Sequence, residues 1–382
     1  MKDRSLRKLH REKILNILPM IEYEEFPQAV LHYYDQHQRN LPWRKDPSPY
    51  HVWISEIMLQ QTRVETVIPY YEKFLKKLPK VMDLAKATED ELHKLWEGLG
   101  YYRRVNHMKK AAIIMVEENK GELPKTYQEL LTLPGIGPYT AAAIASISYG
   151  EVIPAMDGNL YRIMSRVLGE DGFITKRGPQ KFLTEETYLR MDHKRPGAFN
   201  QGLMDIGAGI CIPNGKPLCD QCPIIKFCYA YHQGNPMEYP VKPAKKSRKI
   251  EHRTILLLQR GNQVALLQRP KTGLLAGLWE FPSLQGDLEK EDVLSYLESK
   301  VIPVKSIEKL LETKHIFSHI EWHMVGYFVR IKDIPMAREN DTFTWASFHE
   351  LEEEYALPSA FENYRNFILK HLKKGMYYES KK

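Results

Sequence analysis

All four cysteines of this 382-residue chain lie in one stretch, CIPNGKPLCDQCPIIKFC, as Cys211, Cys219, Cys222 and Cys228. Their spacing is C-x7-C-x2-C-x5-C. Thiols bunched this tightly cross-link, ligate a metal, or pack as small apolar groups. Cross-linking is disfavoured because the opening MKDRSLRKLHREK is charged throughout and leads into no apolar secretory stretch, so a reducing cytoplasm is expected. Zinc usually takes two C-x2-C knuckles, or one knuckle and a histidine pair, and only Cys219 and Cys222 form a knuckle here. The spacing is not the ferredoxin run either, although four thiolates on a compact loop can ligate a 4Fe-4S cluster. Unliganded core cysteines are the plain alternative.

A second stretch, LPGIGPYTAAAIAS, offers binding rather than ligation. Gly135 and Gly137 break one helical segment and start another, which leaves backbone N–H groups free at a helix N-terminus. Those donors and the positive end of the helix dipole can cradle a phosphate, and glycine lets the backbone approach it closely. An ordinary corner between two helices fits the same residues.

The elements that must position these stretches follow from pattern and composition. The chain is 43% hydrophobic and 27% charged, with a formal net charge of +7 and no apolar run long enough to span a bilayer. A positive balance of this size favours a polyanion such as DNA or RNA. Between Tyr239 and Lys249 the run YPVKPAKKSRK packs two prolines and five basic residues, the composition of an interdomain linker. Before it, apolar residues recur at helical spacing in PYHVWISEIMLQQ, DELHKLWEGLG and VNHMKKAAIIMVEE, so the first domain is expected to be all-α. After it, RTILLLQRGNQVALLQRP reads as two strands joined by a Gly261-Asn262 turn, and HMVGYFVRIK as another strand, giving a mixed α+β domain. The acidic ELEEEY near Glu350 reads as a solvated helix face.

Several of these stretches, taken in order, resemble the helix-hairpin-helix DNA glycosylases, and more narrowly the MutY-type adenine glycosylases. The residues that carry the resemblance are LPWR (41–44), SEIMLQQT (55–62), GLGYYRR (98–104), LPGIGPYTA, MDGN (156–159), NQGLMDIGA (200–208), the cysteine cluster and FSH (317–319). They run from about residue 27 to residue 360. The family usually spaces its cluster C-x6-C-x2-C-x5-C, so one residue is added here, within IPNGKPL. Its Pro and Gly imply a surface loop, where one more residue adds little closure entropy. The resemblance implies an N-terminal extension (1–24), a glycosylase domain (25–235) whose loop 211–228 holds a 4Fe-4S cluster, and a basic linker (236–250). A Nudix-like domain (251–372) and a basic tail (373–382) follow.

What the resemblance implies is base excision: adenine paired with 8-oxoguanine or guanine is flipped from double-stranded DNA and its N-glycosidic bond hydrolysed. A monomeric enzyme is expected, with no membrane association, cytoplasmic and nucleoid-associated if bacterial. Adenine leaves poorly unless protonated, and its departure puts positive charge on the sugar, so an acid and an anion are needed. By resemblance these are Glu56 and Asp157. On a helix, Glu56 has Val52, Trp53, Leu59 and Gln60 as neighbours, an apolar face without a cation. Burial there raises its pKa, which suits an acid; a surface Glu beside an apolar stripe is the other reading. Asp157, ahead of NLYRIMSRV, doubles as a helix N-cap, with Asn159 holding the geometry. Tyr139 stands where related glycosylase-lyases carry a lysine, and a phenol forms no imine. A monofunctional enzyme is implied.

By the same resemblance Arg44 and Gln201 line the adenine pocket, while Gln61, Thr62, Leu99 and Tyr101 enter or flank the gap left by the base. Packing at a helix end suits Leu99 and Tyr101 equally. The second domain resembles a Nudix fold, but the G-x5-E-x7-R-E-x2-E-E-x-G run is missing after LLAGLWEFPS. What is left is a reader of 8-oxoguanine, whose N7 hydrogen a hydroxyl or carbonyl can accept; Ser318 is the candidate, with His319 beside it. Two rivals stand: an endonuclease-III-like lyase acting on oxidised pyrimidines, and a non-catalytic protein that binds damaged DNA.

Overall fold

A computed structural model describes residues 24–243, 247–332 and 343–379, with side chains through residue 373. Among these residues two compact units form: one of residues 24–85 and 107–243, the other of residues 86–106 with residues 247–332 and 343–379. The N-terminal extension lies almost wholly outside the described residues, as does the centre of the linker.

The first unit is helical. Five helices position the residues of interest: α1 (Glu25–His37), α2 (Pro49–Leu59), α3 (Pro138–Tyr149), α4 (Gly158–Leu168) and α5 (Pro196–Gly209). Proline opens α2, α3 and α5 at the first turn, where its missing N–H has no intrahelical partner to lose. Phe26 and Val30 of α1, Leu160, Ile163 and Met164 of α4, and Phe199, Leu203 and Ile206 of α5 share one core. Helix α3 is alanine-rich and buried from Thr140 to Ser146. Such small side chains let α2 and α5 pack closely against it.

The second unit holds a mixed sheet: β1 (Lys249–Arg260), β2 (Gln263–Gln268), β3 (Trp279–Glu280), β4 (Ser283–Gln285), β5 (Val304–Lys309), β6 (Thr313–Ile316), β7 (Ile320–Ile331) and β8 (Thr344–Ser347). The central order is β3-β2-β1-β7-β5, with β4 on β1, β6 on β7 and β8 on β2. β1 and β2 form the expected hairpin, pairing Arg260 with Gln263 across Gly261-Asn262. β1 runs parallel to β7 from Lys249 opposite Ile320 to Gln259 opposite Arg330. The unbroken apolar run ILLL follows from burial on both faces. Ile255 and Leu257 face a core completed by α7 (Glu362–Glu379), whereas Leu256 and Leu258 face one completed by α6 (Lys290–Ser299). Each such side chain contributes about 1.5–3 kcal/mol of burial. Residues 373–379, assigned from the sequence to the basic tail, belong to α7, which continues through Glu379. No described helix is long and apolar enough to cross a membrane.

Candidate active site

Asp157 opens α4 as its N-cap. One carboxylate oxygen accepts from the backbone N–H groups of Asn159 and Leu160, each at 2.8 Å, and the other accepts from the Asn159 amide at 2.8 Å. Burial pushes the Asp157 carboxyl upward, while these three bonds and the nearby Arg162 hold it down. Three donors on one side chain favour its anion and leave it little rotational freedom.

Glu56 lies on α2 and is only 5% exposed. The Tyr139 hydroxyl, from the first turn of α3, donates to Glu56 Oε2 at 2.5 Å. Burial raises the Glu56 carboxyl to about 7; the Asp157 charge adds to this, and the Tyr139 bond and the Arg44 charge oppose it. A group balanced there is part protonated at neutral pH, as a proton donor must be.

Glu56, Tyr139 and Asp157 line one cavity of about 560 Å3 together with Arg44, Gln61, Thr62, Asn159 and Gln201. Eight residues singled out in the sequence thus converge from five separate stretches. Such a space suits a base and its sugar. Gly135 and Gly137 lie outside this lining. Gly135 turns the hairpin with φ +79°, and a Cβ there would stand 2.6 Å from the Cβ of His107. Gly137 is the N-cap of α3, and a Cβ there would meet nothing within 4 Å, so the space beside it is open to an approaching ligand.

The cysteines sit on the loop continuing α5. All four are free and half-buried, and they line one small cavity with Ile210, Pro217, Ile225 and Tyr231. Among the described residues no three His, Cys, Asp or Glu side chains close on one point as a single metal ion requires. The donor set is wholly thiol, and a cation faces it: Arg166 donates to Cys211 Sγ at 3.1 Å. Within IPNGKPL, the run 213–216 is exposed.

In the other unit, Leu99 is buried, whereas Tyr101 is half exposed with φ +50°. Arg104 donates to the carbonyls of Leu99 at 3.1 Å and Gly100 at 2.9 Å, which holds this turn. Ser318 and His319 form the exposed tip between β6 and β7, with Ser318 Oγ 3.1 Å from His319 Nδ1. Phe317 beside them packs edge-on against Trp322 and anchors the tip.

Sequence reasoning missed several residues that shape the site. Asp205 receives Arg44 and Arg39. Asn200 is fully buried; its amide donates to Ser146 Oγ and the Ile153 carbonyl, each at 2.9 Å, and accepts from Ala155 N–H at 3.1 Å. It thereby ties down the segment leading to Asp157. Arg162 is buried and donates to Asn159 Oδ1 at 2.9 Å and to the Cys211 carbonyl at 2.8 Å. The signal for Arg162 and Arg166 was their spacing, which keeps them among the apolar positions of α4.

A family described as the HhH-GPD superfamily of base excision DNA repair proteins matches residues 54–187, and a NUDIX domain matches residues 253–366. An adenine DNA glycosylase from Rattus norvegicus is 33% identical over 404 residues, covering 89% of this chain and 78% of its own. One from Buchnera aphidicola (strain Sg) is 36% identical over 307 residues, covering 80% of this chain and 88% of its own. The solved structure of a thermostable thymine-DNA glycosylase is 28% identical with a TM-score of 0.49, covering 55% of this chain and 97% of that one.

Proposed function

Because the chain belongs to the adenine DNA glycosylase family, we propose that it removes adenine mispaired with 8-oxoguanine or guanine from double-stranded DNA and leaves the strand uncut. The observation that carries this reading is the cavity in which Glu56, held near neutrality in its titration, shares a wall with Asp157.

Glu56 donates its proton to a ring nitrogen of the extruded adenine, which turns a poor leaving group into a neutral one. The Asp157 carboxylate faces the sugar as positive charge develops, held by the two N-terminal amides of α4 and by Asn159. Preorganised anions of this kind act without reorganising at the moment of reaction. Arg44 and Gln201 present donors and acceptors to the base. Water then completes the hydrolysis, and Tyr139, unable to form an imine, gives the strand no route to scission. The turn at Gly135 and Gly137 binds a backbone phosphate, Gln61, Thr62, Leu99 and Tyr101 contact the duplex around the vacated position, and Ser318 and His319 read the 8-oxoguanine.

Cys211, Cys219, Cys222 and Cys228 would hold a 4Fe-4S cluster, an assignment supported by four free thiols round one cavity with Arg166 as counter-charge. Bound there, the cluster would staple the loop that extends α5. The enzyme acts as a monomer in the cytoplasm, within the nucleoid in a bacterium. Product analysis tests the reading: free adenine and an alkali-labile but intact strand are expected. Strand scission without base or heat would point to a lyase instead.

A further inference from the structure

Asp205 lies one turn beyond Gln201 on α5, and its side chain is 2% exposed. Arg44 donates to it through Nη1 at 2.7 Å and Nη2 at 3.0 Å, and Arg39 through Nε at 2.6 Å. The Arg44 guanidinium also stands 5.5 Å over the Tyr34 ring, so it is held from a second side. Both arginines line the cavity and Asp205 does not; the carboxylate stands behind the wall they form. Buried ion pairs add little net stability over well-packed apolar groups, so the arrangement calls for a role other than holding the fold.

We propose that Asp205 is a positioning residue for adenine excision: it fixes Arg44 and Arg39 against the cavity wall and offsets part of the Arg44 charge that faces Glu56. The proposal rests on the reading of Glu56 as proton donor. The groups facing Glu56 are Tyr139 from α3, Asp157 at the start of α4, and Arg44 from the short helix Pro42–Lys45, and of these Arg44 is the cation. Left without that offset, that cation favours the Glu56 anion and depletes the acid.

The test is the pH profile of single-turnover adenine release. Wild-type enzyme is measured first, and if it releases no adenine the functional reading fails before the proposal is engaged. Given activity, the rate falls as pH rises through the titration of Glu56. Asp205→Asn moves that falling limb to lower pH by about one unit. Arg44→Gln, which removes the cation and leaves the carboxylate, moves it upward, and adding Asp205→Asn to Arg44→Gln brings it back towards the wild-type position. This second pair decides the matter even if Asp205→Asn alone does not fold. A limb that stays in place in Asp205→Asn while the rate drops at every pH would make Asp205 merely structural. Coincident limbs for Arg44→Gln and the double variant would overturn the proposal as well.

Discussion

On the proposed mechanism Glu56 meets its substrate protonated, and the side chains around it act in opposite directions on that state. Burial raises its carboxyl to about 7, and the Tyr139 hydroxyl pulls it down by donating to the anion. Tyr139→Phe removes that donor, so the Glu56 carboxyl rises and the falling limb of the pH–rate profile moves to higher pH, by about half a unit or more. A profile measured from pH 5 to 9 checks the sign; a limb moved downward would contradict it. The apolar neighbours of Glu56 on α2 fitted burial and a surface place beside an apolar stripe alike, and the structure buries it. Its contact with Tyr139, 83 residues away, was not legible, because no local pattern encodes a tertiary hydrogen bond.

At the scale of elements, the carboxylate end of the site is a property of α4 and of the segment entering it. The N-cap role of Asp157 was readable from its place before a helical run. The run NLYRIMSRV was read only as helical, yet Arg162 and Arg166 are buried in it, their donors taken by carbonyls and by Cys211 Sγ. Periodicity shows which face is inside but not what meets a charged group there. Asn200 is a parallel case on α5, serving Ile153, Ala155 and Ser146 at once. Asn200→Ala leaves buried groups without partners at about 1–3 kcal/mol each. The melting temperature should fall by about 5–10 °C. Adenine release should slow more than DNA binding weakens, since Asp157 follows the loosened segment; binding and excision lost in equal measure would contradict this.

For the molecule as a whole, the change of pattern near residue 240 announced two kinds of architecture, and the helical and sheet-containing units carry them. Strands β1 and β2 and their turn were legible because alternation and an uninterrupted apolar run have few other solutions. The grouping of residues 86–106 with the second unit was not, since DELHKLWEGLG reads as one more amphipathic helix. A division of labour between units predicts that Ser318→Ala lowers the preference for A:8-oxoguanine over A:G several-fold, as one hydrogen bond worth about 0.5–1.5 kcal/mol would. Affinities for both duplexes at one salt concentration give that ratio, because phosphate contacts dominate absolute binding. An unaltered ratio in Ser318→Ala and in its double variant with His319→Ala would place recognition elsewhere. The central claim, that a buried Glu56 supplies the proton for adenine departure, is tested most directly by single-turnover adenine release from an A:8-oxoguanine duplex with wild-type and Glu56→Gln enzyme. Glu56→Gln should bind the duplex as wild type does and lose at least about 10²- to 10⁴-fold in rate. Retention of more than half the wild-type rate would contradict the claim and reduce Glu56 to a packing residue of α2.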